Sequence, residues 1–260
     1  RVKSFKNKGS GIIPALVTAL NQVCGEYITR MDADDLMPSG RLELMINKIQ
    51  HTEKTVITGL VEYFPKSDIS AGYRTYEVWI NRVNLEGSQW NHIYRECVIA
   101  SPNWMMRTAE LKAIGGFEGL NYPEDYDLVF RWYEHQFRID LVPEVTLLWR
   151  EHLDRTSRNS DHYQQEAFFK LKIKRFVKLD YQNGPLVIWG NNVKSRLASR
   201  FLNESGISPI HQEIADFRLI ETFKSPQLLI AVFPEEKRRE EIIAYLESIS
   251  IELGKHWWWL

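Results

Sequence analysis

The chain has 260 residues and a mass of 30.6 kDa, enough for one large domain or for a medium and a small one. Its 33 basic and 34 acidic side chains leave a net charge of −1, which argues against a wholesale binder of nucleic acids or anionic membranes. The 2 cysteines are too few for a disulfide framework, and the longest uncharged run, residues 9–25, is too short and polar to span a bilayer.

Strand and helix patterns alternate through the first 150 residues. Apolar residues at helical spacing predict helices over residues 11–23, 38–49, 76–83, 106–114 and 124–135. Runs rich in β-branched and aromatic residues predict strands over residues 27–31, 55–64, 139–142 and 145–149, the last two separated by Pro143. This alternation is typical of the α/β class.

The pattern breaks near residues 181–185 and then restarts. Strands are predicted over 186–189 and 228–232, and helices over 193–204 and 235–248. We therefore expect a first domain over 1–154, a basic helical connection over 155–183 and a small α/β domain over 184–260. The apolar end of the chain, residues 256–260, either completes the sheet of this domain or forms a patch for another subunit or a membrane surface.

The strongest chemical signal is the sequence Asp32-Ala33-Asp34-Asp35 at the carboxyl end of a predicted strand. At about 5 Å and an effective dielectric constant near 20, each close pair of carboxylates repels by about 3 kcal/mol. A divalent cation, Mg²⁺ or Mn²⁺, would relieve this repulsion and bridge the site to substrate phosphates. In open α/β sheets, ligands bind beyond the carboxyl ends of strands, where this cluster is expected to lie.

The acidic cluster also has a purely structural interpretation. It forms a turn that caps the following helix and pairs with Arg30 or Arg41. For an isolated motif of this length that interpretation is the better one, because short motifs often match by chance. The rest of the sequence decides between the two.

Further short motifs occur in a fixed order along the chain. They are Asn7-Lys8-Gly9, Ala19-Leu20-Asn21, Gly25-Glu26-Tyr27-Ile28, residues 30–35, Pro38, Arg41-Leu42, Gly115-Gly116-Phe117, residues 124–128, and Trp149-Arg150-Glu151-His152 followed by Ser157. As an ordered set over residues 1–160, they resemble the family 2 glycosyltransferases of the GT-A fold.

The resemblance implies a donor site for a nucleotide-diphosphate sugar. It places Asn7, Gly9, Arg30 and Asp32 against the nucleotide. It implies that Asp32 and Asp34 form the family's DxD element, with Asp34 the more direct ligand of Mg²⁺ or Mn²⁺, and that His152 approaches the metal or the diphosphate. Arg150 and Arg155 are candidates for neutralising the diphosphate, although a surface pairing with nearby carboxylates is the simpler interpretation.

The resemblance also implies a catalytic base. Asp125 matches the base that takes a proton from the acceptor hydroxyl, and Glu124 would orient Asp125 or contact the acceptor. Direct displacement would invert the anomeric configuration of the sugar. The structural alternative for Asp125 is a carboxylate at a helix N-terminus, and both interpretations can hold together.

One departure from the family pattern concerns the N-terminus. The family's first strand and turn contact the nucleobase, whereas this chain begins near the third strand, so we expect a truncated GT-A fold without that part of the donor site. The small C-terminal domain resembles a Rossmann-like unit appended to some such transferases. Its turn after the first strand keeps only Gly190, which argues against dinucleotide binding and favours a structural or partner-binding role.

The leading hypothesis is therefore a cytoplasmic, metal-dependent, inverting glycosyltransferase of polysaccharide or glycan assembly, with a nucleotide-sugar donor, a sugar-containing acceptor and no nucleic-acid partner. A peripheral contact with the membrane or with a second copy stays open. Two alternatives remain. One is a catalytically silent, truncated scaffold that binds a partner, and the other is a phosphohydrolase with Asp32 as its nucleophile.

Overall fold

The computed structural model describes residues 2–65, 69–152 and 159–260. The chain divides into two compact units, one formed by Arg1–Gln89 with Cys97–Asn159 and the other by Trp90–Glu96 with Ser160–Leu260. The domain boundary predicted at residues 154 and 155 lies outside the described residues. Within the described ranges, no helix is both long enough and apolar enough to cross a membrane.

The first unit is built on a four-stranded mixed sheet. Its strands are β1 (Tyr27–Thr29), β2 (Thr55–Phe64), β3 (Trp104–Arg107) and β4 (Arg138–Arg150). The spatial order is β1-β3-β2-β4, with β3 antiparallel to both of its neighbours and β2 parallel to β4. The mixed α/β class predicted from the sequence is confirmed.

The helices of the first unit follow the predicted amphipathic patterns. They are α1 (Ile12–Leu20), α2 (Arg41–Ile49), α3 (Ala71–Leu85), α4 (Thr108–Ala113) and α5 (Glu124–Glu134). The first turn of α5 carries the carboxylates of Glu124, Asp125 and Asp127, which the positive end of the helix dipole favours. This placement brings the acidic motif to the start of a helix whose remaining face is largely buried.

The helix predicted from Met106 to Ile114 is wrong over its first two residues. Met106 and Arg107 belong to strand β3, which pairs with β1 on one side and β2 on the other. The apolar residues of this segment are compatible with a buried central strand as well as with the buried face of a helix. Pairing with β1 and β2 selects the strand. Helix α4 begins only at Thr108.

The two strands predicted on either side of Pro143 are in fact one strand, β4. Its pairing with β2 shifts register at Gly59 and Leu60, so β4 bulges around Pro143 instead of ending there. Close approach of the two strands requires glycine at position 59, because an added Cβ would lie 2.1 Å from Thr146 Oγ1. The bulge lets β4 continue to its carboxyl end, where it meets the acidic loop.

The second unit has its own four-stranded sheet, and all of its strands are parallel. The strands are β5 (Leu186–Trp189), β6 (Ile210–Gln212), β7 (Gln227–Ile230) and β8 (Trp257–Trp259), in the spatial order β6-β5-β7-β8. The helices are α6 (Gln165–Leu179), α7 (Val193–Glu204) and α8 (Glu236–Ser248). Its core lies on the inner faces of β5, β7 and β8.

Two details of the second unit bear on its predicted role. The three tryptophans of β8 are at most 3% exposed, so the apolar chain end completes the sheet and is not a surface patch. After β5, Asn192 caps α7 and donates a hydrogen bond of 2.9 Å to the Ala231 carbonyl. An added Cβ at Gly190 would lie 2.7 Å from Val232 Cγ1. Side chains of the unit itself therefore fill the space between these two loops.

Candidate active site

The acidic loop 32–35 is held against the carboxyl end of β4. Leu36 and Leu148 exchange two backbone hydrogen bonds of 3.0 Å each, as an isolated antiparallel bridge. The Arg150 backbone N–H donates to Asp35 Oδ1 at 2.8 Å, and the Arg150 guanidinium donates to the Asp34 carbonyl. The third carboxylate of the motif thus fixes the loop.

A buried arginine, Arg41, supports the segments next to this loop. Arg41, only 1% exposed, donates to Thr29 Oγ1 at 3.0 Å and to the Pro102 carbonyl at 2.7 Å. It also reaches the Arg30 carbonyl at 3.3 Å. Burial lowers the pKa of Arg41 to about 10, against the opposing charge of Asp35, so the guanidinium stays protonated near neutral pH. The sequence suggested Arg41 as a partner for the acidic cluster and as part of a family motif, without indicating these contacts.

Because Arg41 Nη2, at the far end of a buried side chain, makes all three of these hydrogen bonds, we expect Arg41→Lys to destabilise the first unit. A lysine keeps the charge, but its shorter side chain does not place a donor at the position of Nη2, so the free energy of unfolding falls by about 1–3 kcal/mol. Thermal or denaturant unfolding measures this change in the free energy of unfolding. Arg82→Lys is the matched control, since the side chain of Arg82 is 52% exposed and pairs only loosely with Glu86; it should change stability by less than about 0.5 kcal/mol. Equal losses in the two variants would contradict a supporting role for Arg41.

Arg30 joins the acidic loop to the start of α5. Its Nε donates to Asp32 Oδ1 at 2.8 Å, and its Nη1 donates to Glu124 Oε1 at 3.1 Å. The side chains of Arg30 and Glu124 are 12% and 2% exposed, whereas that of Asp32 is 34% exposed. Burial lowers the pKa of Arg30, but the surrounding carboxylates outweigh it and raise that pKa above its usual range. One permanent cation therefore bridges two motifs that lie 94 positions apart in the sequence.

Asp125 lies beside this bridge, and its environment disfavours its charge. Burial raises the pKa of the Asp125 carboxyl to about 7, and the neighbouring carboxylate of Glu124 adds to the rise. Arg30 and a hydrogen bond of 2.8 Å from the Tyr126 backbone N–H act in the opposite direction. A carboxylate whose pKa lies near neutral pH is suited to accept and release a proton.

His152 and Asp34 form a second pair at the carboxyl end of β4. His152 Nε2 lies 2.9 Å from Asp34 Oδ2, and the two side chains are 35% and 45% exposed. The structure thus brings together two of the three predicted metal ligands, while the third, Asp32, is engaged by Arg30.

The donor set at this pair fits a divalent cation only in part. In the described ranges, no group of three or more His, Cys, Asp or Glu side chains is arranged to hold a metal ion. Asp34 and His152 offer one carboxylate and one imidazole, both accessible to solvent. Mg²⁺ commonly takes one or two carboxylates from a protein and its other ligands from substrate phosphates and water. A cation at this pair would therefore share its coordination with a diphosphate.

Other predicted residues lie in local structures of their own. Asn7 Oδ1 accepts from the Gly9 backbone N–H at 3.1 Å, and Asn7 Nδ2 donates to the Gly11 carbonyl at 3.1 Å, which closes a turn before α1. Asp127 is fully buried and accepts two hydrogen bonds from Asn121, so it stabilises the loop that precedes α5. Arg155 and Ser157 lie outside the described residues.

Comparison with known proteins shows which family the first part of the chain is similar to. Residues 1–114 match the family model described as glycosyl transferase family 2. This segment is therefore similar to family 2 glycosyltransferases. The loop 32–35 and Arg41 lie inside the matched segment, whereas Asp125 and His152 follow it. The match and the mixed α/β sheet agree with the GT-A fold expected from the sequence.

Two similar proteins extend the comparison. A Haemophilus influenzae protein described as an uncharacterized glycosyltransferase is 26% identical over 66% of this chain and 55% of its own length. The crystal structure of S. aureus TarS 1–349 is 17% identical, with a TM-score of 0.40, and is covered over 49% of its length by 73% of this chain. The chain thus spans about half the length of either protein.

Proposed function

We propose that this chain acts as an inverting glycosyltransferase that moves a sugar from a nucleotide-diphosphate donor to a hydroxyl of a glycan or other acceptor. The single observation that carries the proposal is the Arg30 bridge. It joins the acidic loop of the matched segment to the start of α5, where Asp125 lies with a pKa raised to about 7, chiefly by burial. The bridge supports the proposal because it links the proposed donor residue Asp32 to the helix that carries the proposed base.

The chemistry assigned to this chain is a single displacement. Asp125 accepts the proton of the acceptor hydroxyl while that oxygen forms a bond to the anomeric carbon, and the bond from that carbon to the diphosphate breaks. The electron pair leaves with the diphosphate, and attack from the opposite face inverts the configuration. Glu124 is committed to Arg30, so we assign it to positioning, while Asp32 and Arg30 face the donor nucleotide with Asn7 and Gly9.

Asp34 and His152 would hold Mg²⁺ or Mn²⁺ against the donor diphosphate, with Asp32 as a further candidate ligand. When bound, the cation supplies positive charge that stabilises the leaving diphosphate. The exposure of Asp34 and His152 leaves both side chains accessible to such a complex. We extend the proposal to polysaccharide or glycan biosynthesis in the cytoplasm, since nucleotide sugars are the expected donors.

The phosphohydrolase alternative fits the geometry less well. It needs Asp32 as a free nucleophile, but both oxygens of Asp32 accept hydrogen bonds from Arg30. The match to a family of transferases points away from it as well. A silent scaffold is the other alternative, and a nucleotide-binding experiment separates it from the transferase.

We expect a nucleoside diphosphate to raise the melting temperature of this chain only when Mn²⁺ or Mg²⁺ is present. A ligand at 100 times its Kd adds about 2.7 kcal/mol, which corresponds to a rise of about 5–10 °C for a chain of this size. A thermal-shift panel of UDP, GDP, dTDP and CDP, each with Mn²⁺ and with EDTA, measures it. Asp34→Ala and His152→Ala should each remove the metal-dependent part, while Asp140→Ala, on β4, serves as the control. An unchanged melting temperature with all four nucleotides would favour the scaffold.

A further inference from the structure

A small cavity lies beside Asp125 in the first unit. Its volume is about 10 Å³, close to what one water molecule requires. Most of the residues in its wall are apolar, but Arg30, Glu124 and Asp125 also line it. A space of this size next to a proposed base is too small for a sugar.

Two further polar groups in the cavity wall have no hydrogen-bond partner among the described residues. They are Ser101 Oγ and Trp132 Nε1, and both atoms are buried. Buried polar groups in folded proteins are nearly always paired, either with protein or with ordered water. An indole N–H can only donate, whereas a hydroxyl donates and accepts. One water molecule can therefore satisfy both atoms.

Neighbouring contacts hold these two side chains in place. Ser101 lies in a tight turn closed by a hydrogen bond of 2.8 Å from the Asn103 backbone N–H to the Ala100 carbonyl. Arg41 holds the next residue of that turn through the Pro102 carbonyl. Trp132 is fully buried, and its ring packs edge-on against Trp104 with centroids 5.4 Å apart. These contacts fix the backbone on both sides of Ser101 and the ring of Trp132.

Trp132 and Asp125 also share one face of α5, since seven residues make almost two full turns. Long side chains on a helix lean toward its N-terminus, which directs the indole of Trp132 toward the end of α5 that carries Asp125. The carboxylate of Asp125 then supplies the third polar partner that a buried water normally has.

We propose that one water molecule occupies this cavity, held by Ser101 and Trp132, and that it donates a hydrogen bond to the carboxylate of Asp125. Ser101 and Trp132 are then positioning residues, since they act on the base through the water. The link to catalysis rests on the proposed function, whereas the water site does not. The water stabilises the ionised form of Asp125, which burial, Glu124 and Asp32 disfavour and Arg30 favours.

A crystal structure of the full chain at high resolution tests the site directly, and a double-mutant cycle tests it in solution. If Ser101→Ala and Trp132→Phe remove the same water, the melting-temperature loss of the double variant is smaller than the sum of the single losses by about 2–4 °C. Thr108→Val is the control partner for Ser101→Ala, because Thr108 Oγ1 is likewise buried without a hydrogen bond but does not line the cavity. The melting-temperature losses of Ser101→Ala and Thr108→Val should add in the double variant.

The pH profile of transfer tests the link to Asp125. Removing a hydrogen bond to the ionised carboxylate shifts the midpoint of kcat/KM upward by about 0.5–1 pH unit in either single variant. A dry cavity with additive losses would overturn the water site, whatever Asp125 does. A filled cavity with an unshifted midpoint would overturn the positioning role alone. Full activity in Asp125→Asn, with the cavity filled, would instead overturn the proposed function.

Discussion

Asp125→Asn is expected to lower kcat by about 10²–10⁴-fold and to leave the binding of the nucleotide and cation unchanged. The amide is nearly isosteric with the carboxyl but cannot accept the proton of the acceptor hydroxyl. The assay measures transfer from the sugar form of whichever nucleotide stabilises the chain, and the thermal shift with that nucleotide measures binding. Asp140→Asn is the matched control, because Asp140 pairs with an exposed arginine on β4 and should retain full activity.

The raised pKa of Asp125 also sets the expected pH dependence. The base must be ionised, so kcat/KM should rise tenfold per pH unit below about pH 7 and level off above it. A plateau that extends unchanged down to pH 5 would contradict the assignment of Asp125.

The same pKa predicts that Asp125→Asn does not unfold the chain. Since the folded state raises this pKa, ionisation of Asp125 opposes folding, and its effect on stability grows as the pH rises from the unfolded value toward about 7. Removing the charge should therefore raise the melting temperature at pH 8 and have less effect at pH 5.5. Activity lost together with a lower melting temperature at pH 8 would point to a structural role instead.

The sequence predicted best those elements whose patterns are long and bounded by clear breaks. Strand β2 over residues 55–64 and helix α7 over residues 193–204 have the predicted bounds. Both carry consistent local preferences, and a capping box at Asn192 fixes the start of α7. Local and tertiary preferences agree in these segments, so the sequence pattern alone is sufficient to predict their bounds.

Prediction failed where distant segments decide the outcome. Strand β3 exists because β1 and β2 pair with it on both sides, and the short strand β6 depends on its pairing with β5. Neither pairing is visible in a local window. The acidic loop 32–35 was predicted because three carboxylates within four residues is an unusual pattern, and Glu124 and Asp125 were predicted from the family resemblance. The partners of these carboxylates could not be predicted in either way. Arg30 reaches Glu124 across 94 positions, and Arg41 reaches Pro102 across 61.

Arg30→Met should have the largest effect on stability, because it removes the guanidinium that pairs with the buried carboxylate of Glu124. Breaking a buried ion pair on one side costs about 3–5 kcal/mol, or about 6–20 °C in melting temperature. Arg138→Met is the matched control. The side chain of Arg138 is 63% exposed in its pair with Asp140, and such a pair contributes less than about 1 kcal/mol.

A second substitution separates charge from packing at this bridge. If the loss in Arg30→Met comes from the broken ion pair, Glu124→Met in the same chain should restore most of the stability, since an apolar pair of similar volume replaces the ion pair. Transfer should not return with it. Without Arg30, Asp125 loses the charge that favours its ionised form, and the donor loses a candidate contact, so the double variant should fold and stay inactive. A double variant that regains transfer would show that the Arg30 bridge is only structural.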